Sequence, residues 1–163
     1  MAEVAIVADT HLPRGSRTLP RACLERLAAA DLIVHAGDFV AAAVLAELAA
    51  LGPPVAAVHG NVDDADLRRR LPVEQVVEVD GVRVGLLHDA GPARGRLARM
   101  RRRFRDADAV VFGHSHIPLH VREGGFQIFN PGSPTERRRA PRHTMGIASA
   151  GGGGILFEHL ALD

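Results

Sequence analysis

Seven polar residues of types that bind metal ions recur along the chain, each shortly after an apolar run. They are Asp9, His11, Asp38, Asn61, His88, His114 and His116. In open α/β sheets the carboxyl ends of the strands line the ligand crevice. We therefore expect these side chains to meet at one edge of a sheet and to bind metal ions there.

Two pairs of these residues are spaced by two positions, Asp9 with His11 and His114 with His116. Side chains two positions apart in extended backbone point to the same side, which predicts that each pair holds one ion. Imidazole suits first-row transition metals, whereas carboxylate and amide oxygens suit harder cations. The mixed set predicts two divalent ions, manganese first, with nickel, iron or zinc as alternatives.

Asp38 is the candidate bridging ligand, because one carboxylate has two oxygens and Gly37 permits a close backbone approach. Two divalent ions roughly 3.5 to 4 Å apart can share a hydroxide nucleophile and hold the phosphoryl oxygens. Two dications, less two aspartates and one hydroxide, leave about one unit of positive charge, which attracts an anionic phosphate. The residues thus predict hydrolysis of phosphate esters.

The elements that position these residues follow from the apolar pattern. Runs at 4–8, 32–35 and 55–58 are typical of buried parallel strands. Helical periodicity occupies 18–30, after a Thr18 cap, and 41–51. This alternation predicts a right-handed βαβαβ unit.

The rest of the chain predicts a hairpin, one helix and further strands. Residues 73–79 and 82–88 flank Asp80-Gly81, a strong hairpin signal that is expected to make the sheet mixed. A helix is predicted at 92–104, and strands at 109–112, 117–122, 126–130, 145–148 and 155–160. Without an internal repeat or a linker, residues 1–163 are expected to form one domain.

The order of the motifs carries a family resemblance. The blocks Asp-x-His, Gly-Asp, Gly-Asn, a lone His and Gly-His-x-His occur in the order that resembles the calcineurin-like metallophosphoesterase superfamily. The chain length, Gly60-Asn61-Val62-Asp63 and Asn130-Pro131-Gly132-Ser133 resemble its small prokaryotic phosphodiesterases. The resemblance implies a four-layer αββα sandwich of mixed sheets. It also implies one ion on Asp9, His11, Asp38 and His116, and a second on Asp38, Asn61, His88 and His114.

Two positions depart from the family pattern. Many members have a histidine after the Gly-Asn pair, as a proposed general acid for the leaving group, and here that position is Val62. Esters with good leaving groups are therefore expected to react best. Asp89 stands after His88, where glycine is common, and either places a negative charge beside the ions, which would tune the choice of metal, or faces solvent.

The sequence leaves three functions open. A cytoplasmic dinuclear phosphodiesterase is the first, and a phosphomonoesterase or protein phosphatase uses the same chemistry. The third is a protein-interaction scaffold, since the branch resembles the retromer subunit that has lost catalytic competence. The retained His88 argues against the scaffold.

Other polar residues are expected to support the site or the fold. His35 and His59 are either partners behind the metal ligands or ordinary strand-end histidines. Asp63 is given a weak supporting role, and the Asp63-Asp64 segment is expected to cap a short helix near Leu67. His120, His143 and His159 are interpreted as structural.

Composition sets the remaining expectations. With 163 residues, 24% of them charged, and a net charge of +1, the chain gives no reason to expect a membrane or a specific nucleic acid as partner. The arginines from Arg94 to Arg105 are interpreted as a solvated helix face. The single Cys23 fits a reducing cytoplasm. A phosphate ester is the expected substrate, and a homo-oligomer is compatible with the sequence.

Overall fold

A computed structural model describes residues 1–163, and its N-terminal part forms the predicted βαβαβ unit. The elements of this unit are β1 (Ala2–Val7), α1 (Arg21–Ala29), β2 (Leu32–His35), α2 (Ala42–Ala49) and β3 (Val55–Ala57). The three strands are parallel, with β1 paired to β2 and β2 paired to β3. The apolar runs thus predicted the strands correctly.

Helix α1 begins later than its periodicity predicts. Pro20, and not Thr18, is the N-cap residue, and no side chain caps the helix. Proline fits the start of a helix, because the first amide groups have no partner within it. The predicted cap at Thr18 is therefore wrong, although Cys23 and Leu27 are buried on the predicted face.

The hairpin predicted around Asp80-Gly81 forms, but it starts a second sheet. Asp80 and Gly81 have φ of 48° and 81°, the conformation that tight hairpin turns require. The elements of this part are α3 (Ala65–Arg70), β4 (Glu74–Val79), β5 (Val82–Leu87), α4 (Arg96–Arg103), β6 (Ala109–Val111), β7 (Leu119–Glu123) and β8 (Phe126–Asn130). The second sheet has the strand order β4-β5-β6-β8-β7, and its strands pair both parallel and antiparallel.

The C-terminal hairpin returns to the first sheet. Strand β9 (Thr144–Gly151) pairs antiparallel with β1, and β10 (Gly154–Ala161) pairs with β9. The order of the first sheet is therefore β10-β9-β1-β2-β3. Both sheets are mixed, and β9 and β10 of the first sheet follow all strands of the second sheet in the sequence.

Three apolar cores separate four layers. Alternate residues of β1 divide between two of them: Val4 and Ile6 pack between the sheets, whereas Ala5 and Val7 pack under α1 and α2. The third core lies between the second sheet and α4, around Met100. This is the αββα sandwich that the resemblance implies. None of the helices has the length and apolar character needed to cross a membrane.

Candidate metal centre

The predicted residues assemble where the carboxyl ends of the strands of both sheets meet. Two groups of three residues could each hold a metal ion, because within each group the ligand atoms all lie within 4.8 Å of one another. We call Asp9, His11 and His116 the first trio, and Asp38, His88 and His114 the second trio. Each trio combines residues that follow strands of the first sheet with residues that follow strands of the second.

The first trio is buried and leaves three polar atoms without partners. His116 Nε2 lies 3.5 Å and His11 Nε2 3.9 Å from Asp9 Oδ1. None of these three atoms has a hydrogen-bond partner, although all are buried. Unpartnered buried polar atoms are costly, and a cation among them would satisfy all three.

Asp38 belongs to the second trio and also contacts the first. Its Oδ2 is 3.5 Å from His11 Nε2 of the first trio and 3.1 Å from His88 Nε2 of the second. The other oxygen, Oδ1, accepts a hydrogen bond from the Val62 amide. This placement fits the predicted bridging carboxylate.

Asn61 joins the second trio. Its Oδ1 lies 3.1 Å from His88 Nε2 and 3.2 Å from His114 Nδ1. The side chain of His114 is 47% exposed, whereas that of His88 is 5% exposed. The second trio therefore opens to solvent through His114.

Hydrogen bonds fix which ring nitrogen of two histidines can face a cation. His116 Nδ1 contacts the Glu136 carbonyl, and His88 Nδ1 contacts the Ala36 carbonyl at 2.8 Å. A carbonyl only accepts, so each Nδ1 must donate, and the neutral ring then presents an Nε2 lone pair to the centre. The donor set thus fits divalent transition metals.

The carboxylates of Asp9 and Asp38 raise the pKa values of His11 and His88 next to them. Burial lowers the pKa of His11, but contacts with Asp38 and Asp9 outweigh it and raise the pKa to about 9. Burial raises the pKa of Asp38, but its close contacts with His11 and His88 hold the pKa well below its usual range. Burial also lowers the pKa of His88, and Asp38 again raises it. Bound cations would take the place of these protons.

Burial dominates at His116, in contrast to His11. It lowers the pKa of His116 more than the negative charge of Asp9 raises it. A neutral imidazole is the form that binds a metal ion. His116 is therefore held in its ligating form.

The ligand pairs are not extended, contrary to the reasoning from their spacing. Asp9, His11, Asp38, His114 and His116 all have positive φ, between 46° and 77°. Such strained backbone in residues other than glycine clusters at functional sites. His114 and His116 also fall in different trios, so the prediction that each pair holds one ion is wrong for this pair.

Two glycines allow the loops to approach this closely. A Cβ on Gly37 would lie 2.8 Å from His88 Nδ1, and one on Gly60 would lie 2.0 Å from Asp38 Oδ1. The predicted close approach at Gly37 is confirmed. Gly60 has the same role on the loop after β3.

Asp63 supports the site more strongly than its weak sequence signal indicated. Its carboxylate accepts hydrogen bonds from the amides of Asp38, Val40 and Gly60 at 2.7 to 3.0 Å. It therefore ties the loops after β2 and β3 together. Asp64 caps α3 by accepting from the Leu67 amide, as expected.

His35 lies behind the centre as a buried neutral histidine. The Gly37 amide donates to its Nδ1, so its Nε2 donates to Thr10 Oγ1 at 3.0 Å. The ring stacks on Phe39. Burial lowers the pKa of His35 to about 3. These contacts join His35 to sequence neighbours of the ligands and not to a ligand itself, so its supporting role stays a prediction.

The other histidines make contacts outside the trios. His59 has a long contact of 3.4 Å with the Gly60 carbonyl. His120 contacts Gln127, His143 contacts Asp163, and His159 donates to the Asn130 carbonyl.

The sequence analysis missed the support given by residues 130–136. Ser133 Oγ donates to the Asp9 carbonyl, and Thr135 Oγ1 donates to the Thr10 carbonyl. Glu136 contacts both histidines of the first trio. The available signal was the motif Asn130-Pro131-Gly132-Ser133, which contains Ser133 and directly precedes Thr135 and Glu136.

The arginines of α4 are used within the chain. Arg99 donates to the carbonyls of Ala90, Pro92 and Arg94, in the loop after His88. Arg103 forms an ion pair with Glu74. Arg96 and Arg101 also donate to main-chain carbonyls.

Comparisons with known proteins agree with this fold and this centre. The model of the calcineurin-like phosphoesterase superfamily domain matches residues 2–152. A probable metallophosphoesterase of Methanothermobacter thermautotrophicus is 33% identical over 137 residues, which cover 83% of this chain and 78% of that protein. A probable metallophosphoesterase of Methanocaldococcus jannaschii is 31% identical over 138 residues, covering 83% and 69%. The chain belongs to the calcineurin-like phosphoesterase superfamily, and it is a metal-dependent phosphoesterase of that class.

A solved structure with the same fold is Vps29 of Entamoeba histolytica, crystallised with zinc. Its TM-score is 0.78 at 22% identity, and the match covers 99% of both chains. At this identity the likeness supports the αββα fold alone.

Proposed function

We propose that this chain is a phosphodiesterase that binds two divalent metal ions, manganese first among them. One ion is held by Asp9, His11, Asp38 and His116, and the other by Asp38, Asn61, His88 and His114. The observation that carries the proposal is the buried, unpartnered set of Asp9 Oδ1, His11 Nε2 and His116 Nε2, with Asp38 beside it. When bound, two such ions supply a shared hydroxide nucleophile and neutralise the phosphoryl charge.

The chain itself orients the ligands. Asp63 holds the backbone amides around Asp38 and Gly60, and Ser133 holds the Asp9 carbonyl. Because these bonds exist before any ligand binds, little reorganisation is needed at the moment of reaction. Exposed His114 and Asn61 mark the side from which a substrate can approach.

The preference for a diester is supported by the cavity beside the second trio. This cavity of about 220 Å³ contains Asn61, His88, Arg68 and Arg103 in its lining. Arg68 already donates to the carbonyls of Asp63 and Asn61, and Arg103 is paired with Glu74. The charge of Arg103 is balanced by Glu74, and the Nε and Nη2 donors of Arg68 are already used by these carbonyls. A diester carries one charge and lacks the second charge of a phosphomonoester, which a guanidinium would balance.

The proton for the leaving group has no evident donor at position 62. Val62 is 41% exposed and contributes only its amide, to Asp38. Activated esters should therefore react faster than alkyl esters.

The test is hydrolysis of bis(p-nitrophenyl) phosphate and p-nitrophenyl phosphate by metal-stripped protein, with and without manganese or nickel. We expect metal-restored cleavage of the diester. Removing partners behind metal ligands costs about 10- to 100-fold, so Asp38→Ala and His88→Ala should lose more than that. Asp106→Ala and His143→Ala, which change the same residue types away from the trios, should retain activity.

The other outcomes separate the alternatives. Faster cleavage of the monoester would favour a phosphomonoesterase or protein phosphatase. No turnover with any metal would contradict an enzyme and favour the protein-interaction scaffold.

A further inference from the structure

Glu136 faces the back of both imidazoles of the first trio. Its carboxylate Oε2 lies 3.2 Å from His11 Nδ1 and 3.9 Å from His116 Nδ1. Its main-chain carbonyl accepts a hydrogen bond from His116 Nδ1. The two Nε2 atoms, on the opposite side of each ring, point toward Asp9. Glu136 therefore lies behind the proposed ligands and not among them.

The surroundings of Glu136 hold its side chain in this place. The Glu136 amide donates to Ser133 Oγ at 2.9 Å, and that hydroxyl donates to the Asp9 carbonyl. Arg14 and Arg17 approach the carboxylate at 3.5 Å and 3.8 Å. Atom Oε2 is buried and has no hydrogen-bond partner in the structure, and His11 Nδ1 is the closest of these ring and guanidinium nitrogens to it. A buried carboxylate oxygen without a donor is costly, so the Nδ1 proton of His11 is its natural partner.

A histidine whose Nδ1–H faces a carboxylate or a carbonyl is fixed in orientation and presents a more basic Nε2 to a metal. We infer that Glu136 is the positioning residue of the first trio, acting on His11 through its carboxylate and on His116 through its carbonyl. This inference rests on the proposed function, because it assigns the ion at Asp9, His11 and His116 to one particular support.

The second trio has no equivalent residue. His88 is oriented by the Ala36 carbonyl, and His114 Nδ1 faces Asn61 and His88. Asp9 Oδ2 accepts a hydrogen bond from the His114 amide, but the carboxylate nearest to the His114 ring is that of Asp89, 4.0 Å from Nε2 and exposed. Loss of the Glu136 carboxylate should therefore weaken the binding of one of the two ions and leave the binding of the other unchanged.

The experiment is a zinc titration of the metal-stripped full chain against a chromophoric chelator. Glu136→Gln keeps the size of the side chain and the main-chain carbonyl but removes the charge. Glu78→Gln is the matched control, since Glu78 is exposed on β4. We expect Glu136→Gln to weaken one of two binding events by about 10- to 100-fold. Glu78→Gln should bind both ions like the unaltered chain.

The possible results are distinguishable. Unchanged binding of both ions by Glu136→Gln, or equal weakening of both, overturns the inference while leaving the proposed function intact. If the unaltered chain and Glu78→Gln bind no zinc, the proposed function and the inference fail together.

A second measurement needs no variant. Long-range proton–nitrogen correlation spectra of the zinc-loaded chain report which ring nitrogen of His11 binds the ion. Zinc on Nε2, with a hydrogen-bonded Nδ1–H, is expected. Zinc on Nδ1 overturns the inference, because that atom would then be unable to donate to Glu136.

Discussion

The first and second trios use similar ligands in different surroundings. All members of the first trio are buried and have Ser133, Thr135 and Glu136 behind them. The second trio ends at His114, which is half exposed and close to the exposed Asn61. Burial and rigid support favour tight binding of an ion, whereas exposure favours exchange and access of substrate. One centre can thus combine a tightly bound ion with a second ion that exchanges and that substrate can reach.

The strongest test of this comparison is to remove one histidine from each trio. His116→Ala should lose the tightly held ion, with affinity falling more than about 100-fold, because a ligand costs more than a partner behind it. His114→Ala should lose only the second ion. Metal content per chain after gel filtration measures both.

Equal losses of bound metal in the two variants would contradict the proposed difference in affinity between the trios. Circular dichroism of the metal-free variants is the control, because truncation of buried His116 also leaves the Glu136 carbonyl without its donor. A folded His116→Ala chain with one weakly held ion is the expected state.

The pH dependence of stability is the next test. The pKa of His11 is raised to about 9, so its contribution is fully present below pH 6.5 and is lost as the pH rises through 9. For the metal-free chain this amounts to on the order of 3 kcal/mol. His35 and His116 have lowered pKa values, so their contribution falls as the pH drops below 6.5. The free energy of unfolding should therefore be highest near pH 6.5.

Urea unfolding of the metal-free chain between pH 5 and pH 10 measures this profile. His11→Ala should reduce the fall on the alkaline side, where only the contribution of His88, whose pKa is also raised, remains. The acidic side should be unchanged. A profile of His11→Ala that still falls from pH 6.5 to 9 by the same amount would show that another group is responsible.

The smallest of the expected effects concerns the backbone of the second trio. A Cβ on Gly60 would lie 2.0 Å from Asp38 Oδ1, so Gly60→Ala must displace that carboxylate. Small displacements at a catalytic centre reduce rates strongly, here by about 10- to 100-fold in kcat with metal present. Gly154→Ala, where a Cβ meets nothing within 4 Å, is the matched control. Similar rates for the two variants would argue against a fixed Asp38.

The sequence predicted the local elements better than their assembly. Apolar runs located β1, β2 and β3, and Asp80-Gly81 located the hairpin, because these signals are local. Periodicity could not show that the hairpin starts a second sheet, since strand pairing depends on distant contacts. The division into two sheets came only from the family resemblance.

The candidate metal centre, too, could be predicted from the sequence only in part. The ligand types and their places after strands could be read from the sequence. The left-handed backbone of Asp9 and His11 could not, because tertiary contacts impose it on residues that do not favour it. Glu136 was missed because its contact with His11 spans 125 positions and no spacing rule indicates it.

Each trio takes residues from both sheets, and this has a mechanical consequence. An ion held there would link the two sheets at one edge, while the apolar core between the sheets joins them elsewhere. Loading with metal should slow amide hydrogen exchange at that edge, in the final residues of β1, β2 and β6, more than in the distant turn at 151–154. Loss of the ions would then lower the local stability of the fold at that edge first.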